Sequence, residues 1–264
     1  MPEFIDRRNE ECGMILDEII RRTEKRVALL PSSFPERRPF TPASLVGAIR
    51  NNNGKNAIIA EIKCASPSRG IIRRNVDMPV MAGVLEAGGC SALSILTEPY
   101  FFGGTGKDIA KVKTVVHVPV LRKDFIIDEI QLAETRALGA DAVLLVAAVL
   151  RDSLAEFVNR AGEYGLEPLV EVHTIAEAEA AVATGTNLIG INNRDLATMT
   201  INRSTTRLLS ETIRSSGKTI VSESGMRSAD DVREIKPYCD AFLIGSSIMA
   251  DKRPERKLEE FVCA

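Results

Sequence analysis

Ile58-Ile59-Ala60-Glu61-Ile62-Lys63-Cys64-Ala65-Ser66-Pro67-Ser68-Arg69-Gly70 opens as an apolar run of strand character, yet it sets two charges, Glu61 and Lys63, two residues apart. Side chains alternate along a strand, so both charges face the same side. On a buried strand that is costly unless the charges are paired or used. The Ser-Pro-Ser-Arg-Gly that follows ends the strand and makes a mobile, basic loop. The stretch reads either as an active-site strand whose loop closes over a substrate, or as an edge strand carrying a solvated ion pair.

Outward from this stretch, short apolar runs alternate with helical patterns. Strands are expected at Ala57–Lys63, Ser91–Thr97, Val118–Arg122, Ala140–Val146, Glu167–Glu171, Asn187–Ile191, Thr219–Ser222 and Ala241–Ile244. Helix-length segments lie between them, among them Asp77–Glu86, Asp128–Leu138, Asp152–Tyr164, Ile175–Thr184, Ser204–Arg214 and Ala229–Ile235, several opened by an Asp or Ser able to cap free N–H groups. Such alternation implies parallel strands with helical crossovers, and eight units point to a closed (β/α)8 TIM barrel, fold class α/β. A doubly wound open sheet is the alternative, weakened because no Gly-x-Gly-x-x-Gly follows the first strand. A short echo of helix stops before the even-numbered strands, at Gly88-Gly89-Cys90, Gly139-Ala140-Asp141, Gly185-Thr186-Asn187 and Tyr238-Cys239-Asp240, has the spacing of two βα units.

Upstream, Glu3 to Val27 reads as an amphipathic helix with Cys12, Ile15, Leu16, Ile19 and Ile20 on one stripe, which something must cover. Leu30 to Ser44 carries Pro31, Pro35, Pro39 and Pro42 and reads as a connector. Residues 1–50 are therefore expected to be an N-terminal helical extension packed on a barrel of residues 51–264, the whole forming one domain.

Composition narrows the function. With 34 basic and 36 acidic residues there is no global charge to recruit nucleic acid or an anionic membrane, so an anionic substrate needs a local basic site. Five scattered cysteines lack zinc-site spacing, and their odd number argues against a disulfide framework, so a reducing cytoplasm is the expected setting. Two histidines cannot build a histidine-rich metal centre, and no metal is expected. The longest apolar run, Ala142 to Leu150, is too short to span a bilayer.

In a barrel of this kind the working groups sit at the C-terminal ends of the strands. Those ends read Glu61 and Lys63, Thr97-Glu98, Lys123, Glu171, Asn192 with Arg194, Glu223 with Ser224-Gly225, and Gly245-Ser246. Strands must surface somewhere, which explains any one of these residues but poorly explains the set. Ser224-Gly225 and Gly245-Ser246 are small residues whose N–H groups can wrap a phosphate after the last two strands, with Arg194 and Lys63 as countercharge. Ser246 has the plainer alternative of a helix N-cap. Lys63 and Lys123, facing Glu61 and Glu171 across one mouth, offer a general acid and a general base; either lysine can alternatively form a Schiff base. Phe101, Phe102, Phe125 and Leu196 are candidates to line a flat pocket, with at most two of the phenylalanines assigned to a ligand rather than to core.

Ala60-Glu61-Ile62-Lys63-Cys64-Ala65-Ser66-Pro67-Ser68, Leu121-Arg122-Lys123-Asp124-Phe125, Leu169-Val170-Glu171-Val172-His173, Gly190-Ile191-Asn192-Asn193-Arg194-Asp195-Leu196, Ser222-Glu223-Ser224-Gly225 and Leu243-Ile244-Gly245-Ser246 together resemble, in order, the indole-3-glycerol phosphate synthase family. The resemblance implies indole ring closure in tryptophan biosynthesis, without cofactor or metal, on a phosphorylated small molecule. It implies Lys123 as the acid for ring closure, Glu171 as the base, Lys63 as a second acid that also holds an anionic group, and Glu61 as the residue orienting Lys123 and the substrate's polar atoms. Asn192 and Glu223 position the intermediate, and Arg194, Ser224, Gly225, Gly245 and Ser246 bind phosphate with Lys63. Ser66 and its loop close over the sugar phosphate, and Phe102, Phe125 and Leu196 contact the aromatic ring. His173 is expected in a supporting role rather than as the base. A monomer is expected, with other enzymes of the pathway as possible partners. The rival readings are another phosphosugar barrel enzyme, an isomerase or a Schiff-base aldolase, and a barrel that binds phosphosugars without turning them over.

Overall fold

The eight strand-like runs close on themselves in the computed structural model of the protein, which describes residues 3–36, 39–196 and 198–264, with side chains in the first helix from residue 15 onward. The strands are β1 Ala57–Ile62, β2 Ala92–Leu96, β3 Val120–Lys123, β4 Ala142–Val146, β5 Glu167–Val172, β6 Leu188–Asn192, β7 Thr219–Glu223 and β8 Ala241–Ile244. Each pairs in parallel with its neighbours in chain order, and β8 pairs with β1 through Ala57 opposite Ala241 to close the ring. The TIM barrel expected from alternation is therefore present. The strands differ from the expected runs by a residue or two at their ends. β3, for example, starts at Val120 because Pro119 has no N–H for the ladder.

The helices are α1 Glu3–Val27, α2 Leu45–Arg50, α3 Met78–Ala87, α4 Lys107–Lys113, α5 Ile130–Leu138, α6 Ala147–Leu150, α7 Leu154–Glu163, α8 Ile175–Ala183, α9 Ser204–Arg214, α10 Ala229–Ile235, α11 Ser246–Ala250 and α12 Pro254–Val262. α3, α8 and α10 are capped by Asp77, Thr174 and Ser228, whose side chains accept from backbone N–H groups of the first turn. α2, α4, α6, α11 and α12 extend the expected set. Four of them are too short to show a helical period, and α12 lies beyond the last strand.

Period-two alternation builds two apolar layers. Ile58, Ala60, Ile62, Leu93 and Ile95 point outward onto Leu85, Ile109, Leu258 and Phe261 of the surrounding helices. Ile59, Leu121, Leu144, Leu169, Leu188, Val221 and Leu243 point inward and fill the barrel, joined by Leu45 and Ile49 of α2. α2 plugs the N-terminal end of the barrel. Ser44 Oγ and the Val46 N–H donate to the Glu167 carboxylate at 2.7 and 2.9 Å, and the Ala43 N–H donates to Asp141 Oδ1 at 2.9 Å.

At the other end, β3 carries alternating charges to both faces. Arg122 points outward and is fully buried, donating to Thr97 Oγ1, the Gln131 carbonyl, Thr135 Oγ1, Asp124 Oδ2 and Glu134 Oε2 at 2.7–3.2 Å. Asp124 also accepts from Arg26 of α1 at 2.8 Å and from Thr97 Oγ1 at 2.7 Å. Arg22 of α1 stacks over Tyr100 and Phe101, 5.1 and 5.4 Å from the ring centres. The first helix is thereby fastened to the loops after β2 and β3; Cys12 lies outside the described side chains. Among the described residues no helix is long and apolar enough to cross a membrane, and no group of His, Cys, Asp or Glu has the makings of a metal site.

Arg122→Met removes the one cation that reaches Asp124, Glu134 and Thr135 together. The expected loss is about 3–5 kcal/mol of unfolding free energy, the usual cost of stranding a buried charge. Urea denaturation followed by circular dichroism measures it.

Candidate active site

A cavity of roughly 460 Å³ opens at the C-terminal ends of the strands, and all fifteen site residues expected from the sequence line it: Glu61, Lys63, Ser66, Phe102, Lys123, Phe125, Glu171, Asn192, Arg194, Leu196, Glu223, Ser224, Gly225, Gly245 and Ser246. They come from the ends of seven strands, all but β4, and the loops that follow. The inward phase of each strand brings them together, since Leu121 and Lys123 share one face of β3, and Leu169 and Glu171 one face of β5.

The floor of the cavity is ionic. Lys123 Nζ donates to Glu171 Oε2 at 2.9 Å and to Glu223 Oε2 at 3.0 Å. Burial works against its charge, but Glu171, Glu223 and Glu61 together outweigh that effect and raise its pKa, so the ammonium persists at neutral pH. Glu61 acts on Lys123 through its charge, without a hydrogen bond among the described residues, and pairs directly with Lys63 at 2.5 Å. The reason is local, because residues two apart on one strand face the same side and their long side chains meet. Glu223 is the second carboxylate bonded directly to Lys123.

Two glycines make room for these carboxylates. A Cβ on Gly190 would collide with Glu223 Oε1, and one on Gly245 would collide with the Glu61 carboxylate. Their role is space, not backbone freedom.

The rim above β7 and β8 is cationic and rich in backbone donors. Ser224 and Gly225 both adopt left-handed backbone, φ 66° and 97°, which turns the chain sharply out of β7 at the cavity wall. Ser246 is the first residue of α11 and Gly245 holds the N-cap position, so the N-cap alternative does not hold. Arg194 anchors one guanidinium nitrogen on the Met199 carbonyl at 2.9 Å. Burial and the nearby charges of Arg69 and Arg227, with Glu61 opposing, lower its pKa. Such crowding of like charges marks a place for an anion. Ser66 Oγ is buried in the cavity wall with no hydrogen-bond partner among the described residues. Its loop is not featureless: Ala65–Ser66 and Gly70–Ile71 pair as a small antiparallel hairpin.

The loops after β2 and β3, across the ring, bring Phe102 and Phe125 to the lining, and Leu196 adds an apolar side chain beyond Arg194, whereas Phe101 stacks on Arg22. Asn192 Oδ1 accepts the Arg194 N–H at 3.0 Å, so its amide nitrogen is the end available to a ligand.

Several contributors have roles that the strand ends do not reveal. Ile15, Leu16 and Ile19 of α1 line the cavity, so part of the amphipathic stripe is covered by the site itself. Glu98 accepts the N–H groups of Tyr100, Phe101 and Phe102 at 2.7–3.1 Å and so folds the loop that carries Phe102. Asn193 is buried, donates to Ser222 Oγ and to the carbonyls of Glu223 and Ser224, and accepts from Thr206, tying the ends of β6 and β7 to α9. A polar residue that serves backbone rather than ligand has no distinguishing mark in a sequence.

Solved structures share this architecture at low identity. Tryptophan synthase of Mycobacterium tuberculosis aligns over 84% of this chain and 98% of its own with TM-score 0.63 and 15% identity, which speaks to the fold alone. Sequence relatives go further. The chain is 43% identical over 257 residues to the indole-3-glycerol phosphate synthase of Caldanaerobacter subterraneus subsp. tengcongensis, covering 94% of this chain and 98% of that protein. It is 42% identical over 208 residues to that of Aquifex aeolicus, covering 78% and 80%. The family model described as indole-3-glycerol phosphate synthase matches residues 16–261. That match takes in Leu16 and Ile19 of α1 and every strand of the barrel, and on it the chain belongs to the indole-3-glycerol phosphate synthase family.

Proposed function

We propose that the protein closes the indole ring of tryptophan biosynthesis, converting 1-(2-carboxyphenylamino)-1-deoxyribulose 5-phosphate to indole-3-glycerol phosphate, carbon dioxide and water. The observation that carries the residue roles is the Lys123 ammonium held between two carboxylates, at the floor of a cavity with a cationic rim on one side and an aromatic wall on the other.

The substrate has the same polarity. Its phosphate lies against Arg194, Lys63 and the turns at Ser224-Gly225 and Gly245-Ser246, and its ring lies against Phe102, Phe125 and Leu196. Ser66 closes over the sugar phosphate. Lys123 then donates a proton to the ketone oxygen as the ring carbon bearing the carboxylate attacks the carbonyl carbon, forming the carbon–carbon bond and an alcohol. The bond to the carboxylate breaks next, and its electron pair returns to the ring, so carbon dioxide leaves and the benzenoid system is restored. The electron sink lies within the substrate itself. In the last step Glu171 removes a proton from the five-membered ring while the hydroxyl leaves as water with a proton from Lys63, and the indole is complete. Asn192 and Glu61 hold the intermediate's polar atoms. The same reading places the reaction in the cytoplasm, in keeping with five cysteines that carry no pairing pattern.

An isomerase or Schiff-base aldolase is less well supported. A Schiff base requires a neutral amine, and the carboxylates around Lys123 keep it charged.

The test is fluorescence of the indole product on mixing purified protein with the substrate, against a low background because the chain has no tryptophan. Lys123→Ala is expected to lower kcat by roughly 10²-fold or more, the range for a positioned proton donor; near-normal turnover removes the assignment. Arg194→Ala is expected chiefly to raise KM, by about tenfold or more, with kcat little changed. An unchanged KM moves the phosphate to other residues.

A further inference from the structure

Lys123 is flanked by two carboxylates at nearly equal distance, Glu171 at 2.9 Å and Glu223 at 3.0 Å, and those contacts alone do not choose the base. The far sides of the two groups differ. Glu223 Oε1 occupies the space left by Gly190 and has no hydrogen-bond partner among the described residues. Glu171 Oε1 lies 3.3 Å from His173 Nε2 two residues on, close enough for charge to act though without a hydrogen bond.

The other edge of that ring is also held. His173 Nδ1 lies 3.2 Å from Glu177 Oε2, and the same oxygen accepts the His173 backbone N–H at 2.8 Å. Glu177 belongs to the first turn of α8, where its own N–H donates to the cap Thr174 Oγ1 at 3.2 Å. Both ring nitrogens therefore face carboxylate oxygens from two different elements. Only the Nδ1 contact has hydrogen-bond geometry, but two carboxylate oxygens within 3.3 Å of a buried ring favour its charged form.

We propose that His173 is a positioning residue: clamped as an imidazolium between Glu171 and Glu177, it makes Glu171, and not Glu223, the ionised carboxylate beside Lys123. The inference rests on the reaction proposed above for the role of Glu171 as base. The charged groups facing the pair are Lys123 from β3, Glu223 from β7 and Glu177 from α8. Burial opposes charge on each of the three groups, and neighbours decide the outcome. Lys123 and His173 hold Glu171 well below the usual carboxylate range. Burial and the charge of Glu171, against the pull of Lys123, push Glu223 up to about 7. Glu171 and Glu177 push His173 up to about 10. Two carboxylates with environments that drive them apart divide into one base and one proton holder.

The chain has two histidines, so imidazole nitrogen NMR of the whole protein resolves His173 once His117→Gln has assigned the other. The expected spectrum at pH 8 shows His173 doubly protonated, and Glu177→Gln lowers its titration by about one pH unit or more. In the fluorescence assay at pH 7, His173→Asn and Glu177→Gln are each expected to lower kcat roughly tenfold with KM little changed, the effect of one lost charged contact. Glu177 does not touch Glu171 or the cavity, so a kcat loss there without a fall in melting temperature runs through His173. A singly protonated His173 at pH 8 overturns the proposal, and so does near-wild-type kcat in both variants. Should His173→Asn fail to fold, Glu177→Gln and the wild-type spectrum decide. The NMR result does not depend on turnover, so absence of indole product counts against the proposed reaction and leaves the imidazolium result standing.

Discussion

The ammonium of Lys123 at the floor of the barrel is the constraint on which the rest of the site depends. Desolvating an ion costs several kcal/mol even after relaxation, and the inward faces of the strands just below it are Leu121, Leu144, Leu169 and Val221. The charge survives because Glu171 and Glu223 reach it from β5 and β7. The neighbouring residues of β3 are committed to the same end. Arg122 and Asp124 point outward into a buried network shared with Thr97, Thr135, Glu134 and Arg26, which locks the strand phase that turns Lys123 inward.

Charge is sorted by depth and by side around the cavity. Glu61 and Lys63 satisfy one another on β1, so neither is a lone buried charge before substrate arrives. Arg194, Arg69 and Arg227 gather where the last strands turn outward, and their mutual repulsion, only partly offset by Glu61, favours an anion. Across the ring the lining includes Phe102 and Phe125, and Leu196 with Ile15, Leu16 and Ile19 of the first helix completes the apolar part.

Much of this was legible from spacing alone. The same-side placement of Glu61 and Lys63 follows from the period of a strand, and their pairing confirms it. The barrel followed from eight alternating apolar runs, and the polar residue closing nearly every strand marked the end at which the cavity lies. These features are local, written within a few residues of one another, which is why the sequence carries them.

What only the tertiary structure decided are the contacts made across the ring. Glu223 lies a hundred positions from Lys123, and its place beside the ammonium depends on closure, on register and on Gly190 leaving room for its carboxylate. The hairpin after β1, the hub formed by Glu98 beneath Phe102, and the buried ties of Asn193 are likewise products of how loops from different strands meet. The sequence by itself determined the elements, their order and the chemistry available at their ends. The fold decided which charges pair, because an ion pair is set by distance in space and two strands that are remote in the chain become neighbours only when the barrel shuts.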